Sequence, residues 1–416
     1  MMSEQTPALV QEVADQLIHG VNTIVLIPNG LEPSEIEYSL RRGVEERDSY
    51  ADVRRLVLAE WSDSSPVMFL SDAFSVSWED RFVPRTADNL IRAGGLPDII
   101  IASGFTEKSE DHRIQWLKCV MDCDAATTRT RELYPVFCVV ARAGDPALDV
   151  LQPRPTLKHR FWYNLYTQTL LTARYQSSLT GQKLGEVNWK AALLSSLAGA
   201  DQCIASSLES AVVRSNSDIV RCLKTAAEER RVTAKQLKAQ GIKEFLTGQR
   251  YHPLARLSPD HHMVRLWTLG FLDYSVEYGW EVPSWALAIL DERILLEHRI
   301  WRGQLPVAMH VINQLRLLVI SYFEETYGAD WLFAAIIDAA PDGNSASRPL
   351  YCCWEAELYD LKRVLENQVH QSRRAAELLP AVRLAHSLRN NLAHYTTIKP
   401  PEYFELLERV RDLGPG

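Results

Sequence analysis

Nowhere do the 416 residues run through about 18 consecutive apolar positions, so nothing in the sequence reads as a membrane-spanning helix, and no membrane partner is expected. The first twenty residues, MMSEQTPALVQEVADQLIHG, are acidic and amphipathic. They have no basic n-region and no small-residue cleavage site, so the expected location is cytoplasmic. Cysteine is sparse and odd in number: Cys119, Cys123, Cys138, Cys203, Cys222, Cys352 and Cys353. That argues against a disulfide framework and for reduced thiols. His112 with Cys119 and Cys123 has no second ligand pair at zinc-finger spacing, so the two thiols read as small apolar helix residues and no metal is expected. Also missing are a GxxxxGK[ST] loop, a Gly-x-Ser-x-Gly elbow and any repeat of 20 to 50 residues. Without the lysine and hydroxyl of that loop, ATP hydrolysis is not expected, and nothing else calls for a cofactor. Positive charge is short overall, with 45 Lys and Arg against 53 Asp and Glu, a net charge of -8. The molecule as a whole repels polyanions, so any nucleic-acid contact must be local.

What is present suffices for two to four cores, since 46% of the residues are hydrophobic and 9% aromatic. Up to about residue 150, Val- and Ile-rich runs alternate with amphipathic stretches, the pattern left by parallel strands and crossover helices. Strands are expected at 23–27, 55–60, 66–70, 98–102 and 136–141. These give an α/β domain over 1–150, with a Rossmann-like or P-loop-like parallel sheet. The Pro- and Gly-bearing stretch 142–155 suits a domain boundary. From 155 to 285 the apolar spacing becomes helical, with Ser217 and Asp218 as candidate N-caps. Within it, 221–250 holds eight Lys and Arg against three Glu, a pattern that suits a solvated helix face better than a DNA-facing helix. Residues 286–416 read as a bundle of long amphipathic helices, interrupted by a surface loop at 339–349. Trp267, Trp280, Trp285 and Trp301 are read as packing residues rather than base-stacking ones.

The first expected strand runs into Pro28, Asn29 and Gly30, then a helix, which is where a phosphate-cradling loop would sit. VMFLSD at 67–72 and DIIIASG at 98–104 look similar to the acidic-strand and sensor-strand segments of P-loop ATPases. With the loop residues missing, that resemblance implies a degenerate domain.

The sharpest signal is HSLRNNLAHY near the C-terminus, with Arg389, Asn390 and, after three further residues, His394. It resembles the signature of HEPN domains, in which Arg and a polar residue precede His by a short gap late in an all-helical bundle. The residue types make chemical sense without the name. Metal-independent RNA cleavage needs a group that exchanges protons near neutrality and a fixed cation on the phosphate. Histidine, titrating at about 6.5, supplies the first, and arginine's planar fork the second. Asn390 is placed to orient His394 or the substrate. On an ideal helix Asn390 and His394 share a face, whereas Arg389 and His394 diverge by about 140°. One copy is therefore an incomplete site, and the resemblance implies a symmetric homodimer through the C-terminal bundle with two motifs on one cleft. Leu384, Leu388, Leu392 and Tyr395 are expected to face the core. His386 is read as a surface residue. Residues 361–400 carry seven Lys and Arg against two Glu, which favours a polyanion such as RNA.

The resulting expectation is a HEPN-type endoribonuclease or RNA-targeting toxin regulated by its front domains, as in bacterial phage-defence effectors. The competing reading is a non-catalytic subunit whose front domain docks on an NTPase or another defence-complex protein and whose bundle dimerises.

Overall fold

A hexapeptide such as NTIVLI, with no charge along its length, stays dry on both pleated faces only inside a parallel sheet covered by helices on each side. In the computed structural model this segment, β1 (Asn22–Ile27), is buried at every position. The structure describes residues 8–28, 32–62, 64–78, 82–130, 134–151, 154–161, 167–251, 260–275, 277–328, 331 and 356–414. Two compact units divide the chain, one formed by Met1–Thr167 with Gln240–Val282, the other by Gln168–Ala239 with Pro283–Gly416.

The first unit begins α1 (Ala8–Ile18), β1, α2 (Pro33–Arg47), β2 (Val53–Val57), α3 (Pro66–Ala73), α4 (Ala87–Ala93), β3 (Ile99–Ser103), α5 (Glu110–Thr130), β4 (Val136–Arg142) and β5 (Leu157–Phe161). All five strands are parallel, in the order β2-β3-β4-β1-β5. Alternation along β1 divides its side chains between two cores. Val25 and Ile27 pack with Val10, Leu17, Ile36 and Leu40 of α1 and α2. Ile24 and Leu26 pack with Leu70, Leu90, Trp116 and Val120 of α3, α4 and α5. The sheet is thus doubly covered, as the α/β pattern requires.

Several expected boundaries move. Residues 66–70 are helical rather than a strand, because Ser65 caps them by accepting from the Met68 N–H and Pro66 takes the first helical position. The β2 strand stops at Val57, and Leu58–Glu60 forms a 3-10 turn. The stretch 142–155 is no domain boundary. It holds a second 3-10 turn (Pro146–Val150) and returns the chain to the same sheet as β5. Ion pairs tie it down, Arg113 to Asp145 at 2.8 Å and Arg154 to Asp124 at 3.3 Å. Because β5 lies at the periphery, its sequence LKHRF lacks the continuous apolar run that marks β1, β3 and β4.

Next come α6 (Gln168–Ser178), α7 (Leu184–Leu197), α8 (Gln202–Leu208), α9 (Asn216–Glu229) and α10 (Ala234–Ala239) of the second unit. Then α11 (Ile242–Tyr251), α12 (His261–Thr268) and the antiparallel hairpin β6 (Asp273–Ser275) and β7 (Gly279–Glu281) belong to the first. The expected middle segment, 155–285, is therefore shared between the units. The cap of α9 is Ser215, which accepts from the Asp218 N–H, rather than Ser217 or Asp218.

The second unit closes with α13 (Ser284–Ile289), α14 (Arg293–Tyr327), α15 (Leu358–Gln368), α16 (Arg373–Ala393) and α17 (Pro400–Leu413). The 35-residue α14 is long and apolar enough to cross a membrane by length and composition. Here it is the bundle's central helix, burying Leu296, Ile300, Val311, Leu315, Val319 and Phe323 together with Arg302 and Gln304. At Gly303 a β-carbon would stand 3.0 Å from the Ala192 carbonyl oxygen, so glycine lets α14 approach α7 closely. On α7, Trp189 stacks on Tyr403 of α17 with centroids 4.4 Å apart. The expected surface loop at 339–349, with Cys352 and Cys353, lies outside the described residues.

Candidate functional site

The three residues of the C-terminal motif fall at the end of α16. Ala381, Ala385, Leu388 and Leu392 make its buried stripe, which leaves Arg389 and Asn390 half-buried on a flank. The helix stops at Ala393. His394 is its C-cap, and its N–H is shared between the Asn390 and Asn391 carbonyls, each at 3.1 Å. Tyr395 then takes a left-handed conformation, φ 58°. Its N–H donates to the Leu392 carbonyl and the Thr396 N–H to the Asn391 carbonyl at 2.9 Å, a Schellman ending.

Helical spacing sets Asn390 and His394 one turn apart, and the His394 N–H keeps the helical bond to the Asn390 carbonyl, but among the described residues no hydrogen bond joins their side chains. The Asn390 amide instead meets His386, one turn back, with Nδ2 and Nε2 3.4 Å apart. Tyr395, assigned to the core stripe with Leu384, is 66% exposed because the positive φ swings it off the helix.

Around Arg389 the structure gathers residues of α15. Arg389 donates to Glu357 at 3.4 Å and, more weakly, to Asn390 Oδ1 at 3.5 Å. His386 lies 6.0 Å from the Tyr359 ring, and the Lys362 ammonium and Arg363 guanidinium stand 5.7 Å and 5.8 Å from that same ring. Burial pushes the His386 imidazole below its ordinary value, and Lys362 and Arg389 push the same way. The spacing His-x-x-x-Asn from 386 to 390 was the signal for this contact.

His394 is exposed. Among the described residues its ring makes no hydrogen bond or ion pair, but the backbone beneath it is fixed. Trp301 of α14 donates its Nε1–H to the Leu392 carbonyl at 2.7 Å, a second donor to the acceptor that the Tyr395 N–H also uses. Gln304, 1% exposed, donates to the Ile398 carbonyl at 2.9 Å and accepts from the Ile398 N–H at 2.8 Å. Asn216 donates to Thr397. Of the four tryptophans read as packing residues, Trp267, Trp280 and Trp285 are buried, whereas Trp301 is half-exposed and makes this hydrogen bond.

A groove of about 910 Å³ between α7, α14 and α17 is lined by Leu184, His310, Phe404, Leu407 and Arg411 among others, and by none of the three motif residues.

In the first unit, the helices following β1 and β4 lie on opposite faces of the sheet, so the carboxyl ends of these neighbours form the topological switch point. Asn29 and Gly30 of the expected phosphate loop lie outside the described residues. At the switch point Arg142 donates to the Pro28 carbonyl at 2.7 Å. Glu32 stands at the N-cap position of α2 without a capping hydrogen bond from its side chain, and Glu35 occupies the first turn; their charge complements the helix dipole and opposes a phosphate there. One turn further, Glu37 is 4% exposed, with Oε2 lacking a hydrogen bond and 3.8 Å from Arg55. Burial raises the Glu37 carboxyl above its ordinary value, against hydrogen bonds from Ser103 and the Gly104 backbone and the charge of Arg55.

Cys119 and Cys123 are buried on α5, and His112 pairs with Ser109 at 2.6 Å. Among the described residues no group of three or more His, Cys, Asp or Glu could hold a metal ion.

No family model matches the chain. No curated protein matches it in sequence. Among solved structures it is similar to a chain of Drosophila ORC bound to DNA, at 13% identity and a TM-score of 0.30, covering 97% of this chain and 71% of that one. It is similar also to a chain of Drosophila ORC bound to AT-rich DNA and Cdc6, at 10% identity and a TM-score of 0.26, covering 97% and 69%. At such TM-scores these likenesses carry no argument about fold or function.

Proposed function

We propose that the chain is a HEPN-type endoribonuclease whose second unit carries the RNA site and whose α/β unit, a degenerate P-loop-like domain, regulates it. The observation that carries this reading is His394. It is an exposed imidazole outside the helix, on a turn held by Trp301 and Gln304, five residues from a half-buried arginine. A rigid backbone under a free imidazole suits proton transfer, because reacting groups must be held in position while remaining open to substrate.

In this chemistry the ribose 2′-oxygen attacks the adjacent phosphorus and the 5′-oxygen leaves, giving a 2′,3′-cyclic phosphate and a 5′-hydroxyl. One His394 accepts the proton from the 2′-hydroxyl and the symmetry-related His394 gives one to the leaving oxygen. Arg389 holds the phosphate oxygens as their charge grows. The Lys362 and Arg363 side chains extend the positive surface for the strand. Expression of wild type beside His394→Ala, with total RNA examined on gels, tests the reading. In the homodimer the change removes both proton-transfer groups, so cleavage falls by at least the roughly 10²- to 10⁴-fold that one such group supplies. Equal RNA decay with both proteins refutes it.

The ion pair between Arg389 and Glu357 favours the second reading, a non-catalytic subunit of a defence complex, since it occupies the cation that substrate needs. Glu357→Gln separates the two. An RNase gains cleavage a few-fold when its arginine is released, whereas an inert dimerisation module shows no cleavage with either residue.

A further inference from the structure

Tyr395 stands where a helix commonly ends on glycine. Its φ of 58° is one that a residue bearing a β-carbon adopts at a cost glycine does not meet. Burial does not hold the side chain there, since it is 66% exposed. What it touches is two other rings. The Trp301 centroid lies 4.7 Å away with the planes at 46°, and His298 lies 6.1 Å away in a stacked arrangement at 27°. His298 and Trp301 are themselves 5.2 Å apart on α14. Trp301 cannot drift from this group, because its indole N–H is bonded to the Leu392 carbonyl. The three rings therefore form a fixed cluster, backed by α14 and largely open on the tyrosine side, one residue beyond His394.

Resting on the ribonuclease reading, we infer that Tyr395, supported by Trp301 and His298, is a stacking platform for an unpaired nucleobase beside the phosphodiester that His394 handles. Every base presents a π-face, so the platform selects single-stranded RNA over duplex without selecting sequence. It also supplies binding that does not depend on salt, which phosphate contacts to Arg389, Lys362 and Arg363 cannot. In a chain of net charge -8 that contribution offsets repulsion of the strand by the rest of the surface.

The test uses the full-length chain carrying His394→Ala, so that RNA is bound but not cut, alone and combined with Tyr395→Gly or Tyr395→Phe. Glycine accepts the left-handed backbone without strain, so the ring is removed while the turn is kept. The probes are a short fluorescein-labelled single-stranded RNA and an abasic strand of equal length, read by anisotropy. The His394→Ala protein should prefer the RNA by roughly ten-fold, the added Tyr395→Gly should bring the two strands to equal affinity, and Tyr395→Phe should retain the preference. A preference that survives Tyr395→Gly, or none in the His394→Ala protein, overturns the platform. If wild type still cleaves RNA and His394→Ala does not, the ribonuclease reading stands without it. If wild type neither binds nor cleaves RNA, both fall.

Discussion

Replacing Gln304 by Leu tests whether the turn that carries His394 is held from α14. The side chain of Gln304 makes two hydrogen bonds to one residue, donating to the Ile398 carbonyl at 2.9 Å and accepting from its N–H at 2.8 Å, with Gln304 and Ile398 each 1% exposed. Leucine matches the volume and offers neither group. Water does not reach the site, so two backbone groups are left unpaired at about 1 to 3 kcal/mol each. The apolar side chain recovers part of that, for a net loss of about 2 to 4 kcal/mol. Urea unfolding followed by a probe in the second unit measures the loss. Hydrogen exchange locates it, with the Ile398 amide losing protection while the amides of α7 keep theirs. RNA cleavage, if His394 performs it, should fall even where the protein remains folded. A loss below about 0.5 kcal/mol, the range of a neutral surface change, would refute the view that this clamp fixes the turn.

Further outcomes follow from the same geometry. Glu37 binds its proton more tightly in the folded chain than in the unfolded one, where its value is 4.5, so it makes stability fall as pH rises from 4.5 through the folded-state value. Glu37→Gln should flatten that fall and stabilise the first unit at neutral pH, as measured by thermal melts from pH 4 to 8. His386 has the opposite sign. Its value is lowered in the fold, so stability is complete above 6.5 and is lost as pH falls through the folded-state value. An NMR titration should find the imidazole midpoint below 6.5, and Lys362→Met should move it upward by removing a neighbouring cation. Mixing Arg389→Ala chains with His394→Ala chains tests whether each site draws on both protomers. Because the proposed cut uses the imidazoles of both protomers, this mixture should restore no cleavage, whereas an equal mixture of wild-type and His394→Ala chains should keep roughly a quarter of wild-type cleavage by random pairing, against about half if each chain works alone.

The sheet was legible in the sequence where strands are buried on both faces. The runs NTIVLI, IIIAS and VFCVVAR have no other use for so many β-branched and apolar residues, and they became β1, β3 and β4. Short apolar runs fail as a guide when a cap is overlooked. PVMFL is as apolar as a strand, but Ser65 and Pro66 start a helix there. Edge strands fail for the opposite reason. LKHRF pairs with β1 on one side, so its polar residues are tolerated and periodicity marks nothing. The division of the chain was hidden because contacts between segments far apart in sequence, 1–167 with 240–282, set it.

At the candidate site, the residue types were legible and their geometry was not. Helical spacing describes residues only as far as the helix runs, and α16 ends at Ala393, one residue before His394. Where α16 stops is decided by Tyr395 adopting a left-handed backbone, which the sequence of a tyrosine does not announce, and by Trp301 and Gln304, about ninety residues earlier, which satisfy the chain as it leaves. The same ending separates the roles of the two histidines. His386, inside the helix, is tied to Asn390 and pressed toward neutrality by its cationic neighbours. His394, past the end, has no side-chain hydrogen bond among the described residues. A motif defined by intervals along a helix thus places its arginine on a flank and its imidazole on a turn. The arginine is paired with Glu357 and, in the proposed dimer, exchanges that carboxylate for phosphate.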